Sequence, residues 1–197
     1  LRVESLQDTA SYGSQQRSSS AGGSWKGSSA SGQASASRSE ADMRFASVVE
    51  QSGVVAGDGG FDIKVKGGTD LQAGILGSSD PAAAQGRNRL VTGTLTASDL
   101  ENRASAHASS SGVALNSDMM TRGKYGIAKG VVANTMLNAD DAMSAQGQTR
   151  ATGSEGAIVV TDEAAQRVLT GQGGAQVVAA LNRDAGTAHA RVLRPDL

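Results

Sequence analysis

Three aspartates beside glycine-rich corners are the residues of this sequence best suited to acid–base chemistry. They are Asp58, Asp62 and Asp70. Paired carboxylates that converge in a cleft hydrolyse glycosidic bonds. A strand register over this segment directs Asp62 outward, and no Arg, Lys or second acid has a spacing that would hold a sugar rigidly. We therefore interpret the three as solvent-facing strand acids and predict no catalytic residue.

A second candidate is a partial calcium-binding repeat in the same segment. Gly57, Gly60, Asp62 and Ile63 match the pattern Gly-Gly-x-Gly-x-Asp-x-apolar-x of parallel β-rolls, but Asp58 replaces the second glycine. Such repeats share each ion between successive turns, and here the pattern occurs once. The segment also lacks the spacing of a dinucleotide-binding loop and the lysine of a P-loop. The sequence therefore predicts neither a metal site nor a cofactor site.

The histidine, methionine and tyrosine residues are not spaced as a metal or cofactor site requires. His107 and His189 have no partner at ligand spacing, and the chain contains no cysteine. We expect Met119, Met120 and Tyr125 to close the end of a stack of small core residues rather than to bind a cofactor.

Composition limits the classes of function further. The chain has 197 residues, 26 of them glycine, with a formal net charge of −1 and 3% aromatic residues. This balance gives neither a basic stripe nor stacking platforms, so it predicts no nucleic-acid partner. No apolar run approaches the length of a membrane span. Because the chain starts at Leu1 without a signal-peptide pattern, we expect it to be a fragment of a longer protein.

Short strands separated by glycine corners are the clearest structural signal. Gly53 to Ala56 and Phe61 to Lys66 have strand patterns, and apolar residues alternate with Asp and Lys in the second. Glycines at 57–60 and 67–68 predict turns between them. Strands and corners repeating about every 20 residues favour a β-solenoid, with a hairpin meander as the alternative. Residues 1–38, rich in Ser, Gly and Ala, alternate like a strand, with a flexible linker as the alternative.

The C-terminal third has a different character. Ala157 to Thr161 predicts a strand, and Glu163 to Thr170 predicts a helix between the cap Asp162 and the stop Gly171. A second short helix is predicted from Ala175 to Arg183. Ser78 to Arg89 has the composition of a surface loop, and Asp140-Asp141 is a possible helix start. We expect a β-helical segment over residues 1–120 and a glycine- and alanine-rich transition region over 121–197.

The segment from Val49 to Ile63, continued by Thr69 to Ala73, resembles the haemagglutinin repeats of filamentous haemagglutinin-type exoproteins. The resemblance is strongest to the second repeat block of contact-dependent growth inhibition effectors of the CdiA type. Supporting phrases occur in the order that such proteins have. They are Ser5 to Thr9, Thr92 to Leu95, Ser98 to Asn102 and Leu181 to Asp184.

The resemblance implies an all-β fold, a right-handed parallel β-helix, with a small mixed C-terminal region containing short helices. It implies a non-enzymatic segment of a two-partner-secreted protein on the Gram-negative cell surface, which helps to carry a C-terminal toxin across the target-cell outer membrane. The alternative is an adhesin shaft that binds host or bacterial surfaces. Expected partners are the rest of the parent chain and the target-cell outer membrane or its β-barrel proteins. Exposed strand edges also predict end-to-end self-association.

Overall fold

The computed structural model describes residues 1–26, 29–116 and 139–195. The chain divides into two compact units. The first consists of Leu1–Thr9, Ala46–Ala104 and Ala145–Arg194, and the second of Ala10–Phe45, Ser105–Ser144 and Pro195–Leu197.

The first unit is built around two sheets of parallel strands. A four-stranded sheet has the order β1-β5-β7-β11, and a three-stranded sheet has the order β10-β6-β4. In the first sheet the strands are β1 (Arg2–Glu4), β5 (Asp62–Gln72), β7 (Arg89–Ser98) and β11 (Ala157–Val160). In the second they are β4 (Gly53–Ala56), β6 (Ile75–Ser78) and β10 (Thr152–Gly153).

Three short helices belong to the same unit. They are α1 (Asp80–Ala84), α2 (Glu163–Thr170) and α3 (Gly174–Ala180), and a 3-10 turn follows at Ala185–Thr187. The N-cap side chain of α2, Asp162, accepts a hydrogen bond from the backbone of Ala165, and Gly171 ends the helix in the left-handed region. Among the described residues, no helix has the length and apolar character needed to cross a membrane.

The apolar core of this unit takes most of its residues from both parallel sheets and from α3 with its C-cap. Its buried members are Val3, Leu71, Leu76, Leu90, Leu95, Ala151, Val177 and Leu181. Phe61, Ile63 and Val65 are half-buried against it, whereas Asp62 and Lys64 are exposed. The alternating pattern in the sequence therefore corresponds to one face of β5 that packs on the core.

Long strands supply most of the second unit. They are β2 (Gln7–Lys26), β3 (Ser29–Val48), β8 (Leu100–Asn116) and β9 (Ala139–Thr149), in the order β2-β3-β8-β9. Side-chain hydrogen bonds join Ser18 to Ser37 and Ser20 to Ser35, so residue numbers rise along β2 as they fall along β3. The two strands are therefore antiparallel. Most side chains of this hairpin are exposed, Trp25 among them.

The prediction of a right-handed parallel β-helix is wrong. Strands β2 and β3 pair antiparallel rather than as stacked coils, and the described residues contain no closed solenoid. Alternation of small and polar residues fits either arrangement, because both expose every second side chain on the same face. The boundary predicted at residue 120, together with Met119, Met120 and Tyr125, lies outside the described residues, and the division there stays a prediction.

Candidate functional site

An open cleft of about 590 Å³ lies in the first unit, at the carboxyl end of β7. Residues 96–99 form one wall, and Gln148 and Arg150 form another. Thr170 and Gln172, where α2 ends, lie on the opposite rim. Clefts beyond the carboxyl ends of parallel strands are common ligand sites, because loops of different strands converge there.

A chain of hydrogen bonds links a carboxylate to a guanidinium on the wall of this cleft. Asp99 Oδ1 accepts from the backbone N–H of Ala151 at 2.8 Å, and Asp99 Oδ2 accepts from Gln148 Nε2 at 3.2 Å. Gln148 Oε1 in turn accepts from Arg150 Nε at 3.3 Å. The amide of Gln148 therefore holds the Arg150 side chain through Nε–H, and this chain of bonds does not use the Nη donors.

The floor of the cleft is apolar. Ala151, Val177 and Leu181 are buried and also belong to the core cluster. Asn182 lies at the rim, where its Nδ2 donates to Thr152 Oγ1 at 3.0 Å. An apolar floor under a rim of amides and one guanidinium can bind a molecule with a flat apolar body and an anionic group.

His189 lies in a separate network centred on Asn102. Its Nδ1 is 3.0 Å from Thr149 Oγ1, and this hydroxyl accepts from Asn102 Nδ2 at 2.9 Å. The Nε2 atom of His189 is buried without a hydrogen-bond partner in the described structure. The imidazole thus helps to join β9 to the C-terminal segment, and its own β-bridge partner is Thr149.

His107 lies in the second unit, beside Asp140. Its Nδ1 is 3.4 Å from Asp140 Oδ1, and both side chains are largely exposed. Among the described residues, no three His, Cys, Asp or Glu side chains are grouped so that they could hold a metal ion.

The three aspartates considered as a catalytic set, and interpreted as solvent-facing strand acids, do not converge. Asp58 Oδ1 accepts from Ser79 Oγ at 2.7 Å, and Asp70 Oδ1 accepts from Thr96 Oγ1 at 2.7 Å. Asp62 faces solvent, with its Oδ2 at 3.6 Å from Lys64 Nζ. Each carboxylate has its own partner, so the structure does not bring them together in one cleft.

The glycine corner at residues 57–60 is a tight turn. Gly60 donates to the carbonyl of Gly57 at 3.0 Å and has a φ of 69°. Arg87 Nη1 donates to the carbonyl of Asp58 at 2.9 Å, so this backbone is held by the loop before β7. The turn connects β4 to β5 and contributes no group to the cleft.

Sequence spacing could not have found the cleft, because its polar groups come from distant segments. Asp99 follows β7, Gln148 and Arg150 flank the end of β9, and Gln172 follows α2. Each is an ordinary surface residue in its own segment. The packing of α2 on β7 and the hydrogen bonds of Asp99 to Gln148 and Ala151 bring them to one place.

Comparison with known proteins gives relatives by sequence alone. No protein-family model matches the chain, and no solved structure matches it. A tRNA nuclease CdiA of Escherichia coli O6:K15:H31 (strain 536 / UPEC) is 39% identical over 170 residues, which are 85% of this chain. A deoxyribonuclease CdiA of Dickeya dadantii (strain 3937) is 35% identical over 176 residues, also 85% of the chain. A 16S rRNA endonuclease CdiA of Enterobacter cloacae subsp. cloacae is 34% identical over 189 residues, 94% of the chain.

The chain spans about 5% of the length of each of these three relatives. These relatives are named as nucleases of tRNA, DNA and 16S rRNA. The predictions of a non-enzymatic delivery segment, of no enzyme and of no nucleic-acid partner are therefore wrong. They relied on composition and on the lack of a compact catalytic motif within this chain, whereas the relatives that it matches are many times longer.

The names of these relatives support only part of the family resemblance. Nothing in their names supports the haemagglutinin-repeat assignment, the β-helix or the adhesin shaft. Homologues of this chain, at 34–39% identity over most of its length, are the CdiA effectors of contact-dependent inhibition.

Proposed function

We propose that this chain is part of a nuclease effector of contact-dependent growth inhibition, and that the whole effector cleaves nucleic acid in a neighbouring bacterium. The observation that carries the proposal is the match, over most of the chain, to relatives named as nucleases. We further propose that the effector is secreted to the cell surface and delivered into target cells, as a CdiA protein.

The choice of nucleic acid is a separate part of the proposal. Relatives named for tRNA, DNA and 16S rRNA match the same chain at 39%, 35% and 34% identity. A segment that selected the substrate would be expected to diverge with it, because each substrate needs different contacts. We infer that residues outside this chain choose among tRNA, rRNA and DNA.

The geometry of the first unit supports contact with a polyanion at one position. Arg150 presents a guanidinium on the wall of the cleft, and arginine forks match the oxygens of a phosphate group. The chain as a whole has a net charge of −1, so it offers no general attraction for nucleic acid. Contact with nucleic acid would therefore be local to this cleft.

The proposal is tested by co-culture of bacteria that produce the whole effector with sensitive target cells. We expect one class of nucleic acid from the target cells, tRNA, 16S rRNA or DNA, to be cleaved while the other two remain intact. Producer cells that lack the effector gene are the control. Growth inhibition with all three classes intact would contradict the proposal.

An exchange of segments tests the choice of substrate. This chain is replaced in its parent by the matching segment of the Dickeya dadantii deoxyribonuclease CdiA. We expect the hybrid to cleave the same class of nucleic acid as the parent. A hybrid that cleaves DNA where the parent cleaves RNA would place substrate choice within this chain.

A further inference from the structure

We propose that the cleft of the first unit binds a single nucleotide unit, with its phosphate on the Arg150 guanidinium and its base on the apolar floor. This rests on the proposed function and names the chemical group that this chain would contact. No part of the comparison with known proteins assigns a role to these residues.

The first support is that Arg150 is oriented before any ligand binds. Asp99 accepts from Gln148 Nε2, and Gln148 Oε1 accepts from Arg150 Nε. Asp99 Oδ1 accepts from the backbone N–H of Ala151, so the Asp99 carboxylate is fixed to the backbone. A guanidinium that is fixed at Nε still offers its Nη donors, and preorganisation lowers the entropy lost on binding.

The hydrogen bonds of the Asp99 carboxylate explain why it does not compete with an external anion for Arg150. Each of its oxygens already accepts an N–H, one from Ala151 and one from Gln148. Asp99 and Arg150 make no ion pair of their own among the described salt bridges. The described salt bridges therefore give the Arg150 guanidinium no carboxylate partner, which leaves its charge available to an external anion.

The second support is the floor. Ala151, Val177 and Leu181 present apolar atoms at the bottom of the cleft, where the flat face of a base can be removed from water. The amide of Gln172 lies on the rim and can reach the polar edge of a base, whereas the amide of Asn182 is already bonded to Thr152 and Asp184. A volume of about 590 Å³ gives room for one nucleotide unit but not for a folded polynucleotide.

The test measures binding of small probes to the purified chain by calorimetry, with the site followed by amide NMR shifts. The probes are adenosine 5′-monophosphate, adenosine and inorganic phosphate. We expect the monophosphate to bind more tightly than either of the others, with shifts at residues 96–99 and 148–151. Equal affinity for adenosine would overturn the role of Arg150, and equal affinity for inorganic phosphate would overturn the role of the apolar floor.

An Arg150→Gln variant tests the anion contact. It should lose about tenfold or more in affinity for the monophosphate, as expected when a charge-assisted hydrogen bond is removed. Arg89→Gln is the matched control, because Arg89 is exposed at the opposite end of β7. Since Arg150 is exposed, the variant should keep the NMR spectrum of a folded chain. A variant that is folded and binds as tightly as the original would overturn the proposal.

A Gln148→Ala variant tests the positioning role of the amide. We expect weaker binding of the monophosphate, but an unchanged dependence of affinity on salt, because the charge of Arg150 remains. In Arg150→Gln the salt dependence should itself become weaker. Gln85→Ala, a change at an exposed glutamine after α1, is the control and should alter neither quantity. Loss of affinity in Gln148→Ala with the same loss of salt dependence would overturn the positioning role.

Failure of this inference can be told apart from failure of the proposed function. If the effector cleaves nucleic acid in target cells but the purified chain binds no nucleotide, the cleft proposal is overturned and the proposed function stands. Tighter binding of a peptide with a free C-terminal carboxylate than of the monophosphate would also overturn it, in favour of a peptide site.

Discussion

The side-chain amide of Gln166 completes the hydrogen bonding of Leu95 as a neighbouring strand would. Gln166 Oε1 accepts from the backbone N–H of Leu95 at 2.7 Å, and Gln166 Nε2 donates to the carbonyl of Leu95 at 2.9 Å. Strand β11 pairs with β7 as far as Thr92, after which the chain turns into α2. The helix therefore takes over the edge of β7 that the strand leaves uncovered.

Replacing Gln166 by leucine should lower the free energy of unfolding by about 2–4 kcal/mol, because two buried backbone groups lose their partners. Both Gln166 and Leu95 are fully buried, so water cannot replace the amide. Chemical denaturation of the purified chain measures the change, with the exposed Gln85→Leu as the control. A loss below about 0.5 kcal/mol, the range of ordinary surface substitutions, would contradict this role.

Asn102 is the second buried amide that joins distant segments. Its Oδ1 accepts from the backbone N–H of Val48 at 2.9 Å, and its Nδ2 donates to Thr149 Oγ1 and to the carbonyl of Ala190, each at 2.9 Å. We expect Asn102→Ala to cost about 2–4 kcal/mol of unfolding free energy, since a cavity and unpaired groups arise together.

A double-mutant cycle separates the Asn102–Thr149 contact from the other bonds of the amide. Thr149→Val removes the hydroxyl that bridges Asn102 and His189. We expect the double variant to be more stable than the sum of the single losses implies, by about 0.5–3 kcal/mol. Additive losses in denaturation experiments would mean that the hydroxyl and the amide act independently.

Two neighbouring glycines of one turn should differ in their response to substitution by alanine. Gly60 has a φ of 69°, and an added Cβ would lie 2.7 Å from the carbonyl oxygen of Arg87. Gly59 has no such neighbour and no positive φ. Gly60→Ala should therefore cost about 1–3 kcal/mol, from backbone strain together with the clash. Thermal denaturation compares the two variants, and equal stability would contradict the assignment of strain to Gly60.

Local signals predicted the elements that local chemistry defines. The helix Glu163–Thr170 has the predicted bounds, because Asp162 caps its first turn and Gly171 ends it within the same short segment. Strand Gly53–Ala56 also has the predicted bounds. Between Ser78 and Arg89 the prediction of a loop missed α1, although Ser79 and Pro81 are typical of a helix start.

Elements that depend on distant partners were not predicted. A turn was expected at Gly67-Gly68, but β5 continues through it, with a shift in its register against β7 between Val65 and Gly68. The possible helix start at Asp140-Asp141 lies inside β9, whose neighbour is β8. The cleft was not predicted either, since the relay from Asp99 to Arg150 joins segments that only the folded chain brings together.

A nuclease assay with the purified whole effector tests most directly whether this effector cleaves nucleic acid. It is incubated separately with tRNA, with ribosomes that contain 16S rRNA and with double-stranded DNA, and the products are separated by size. We expect cleavage of one of the three substrates and none in a heat-denatured sample. An effector that inhibits target cells but leaves all three substrates intact in this assay would contradict the claim.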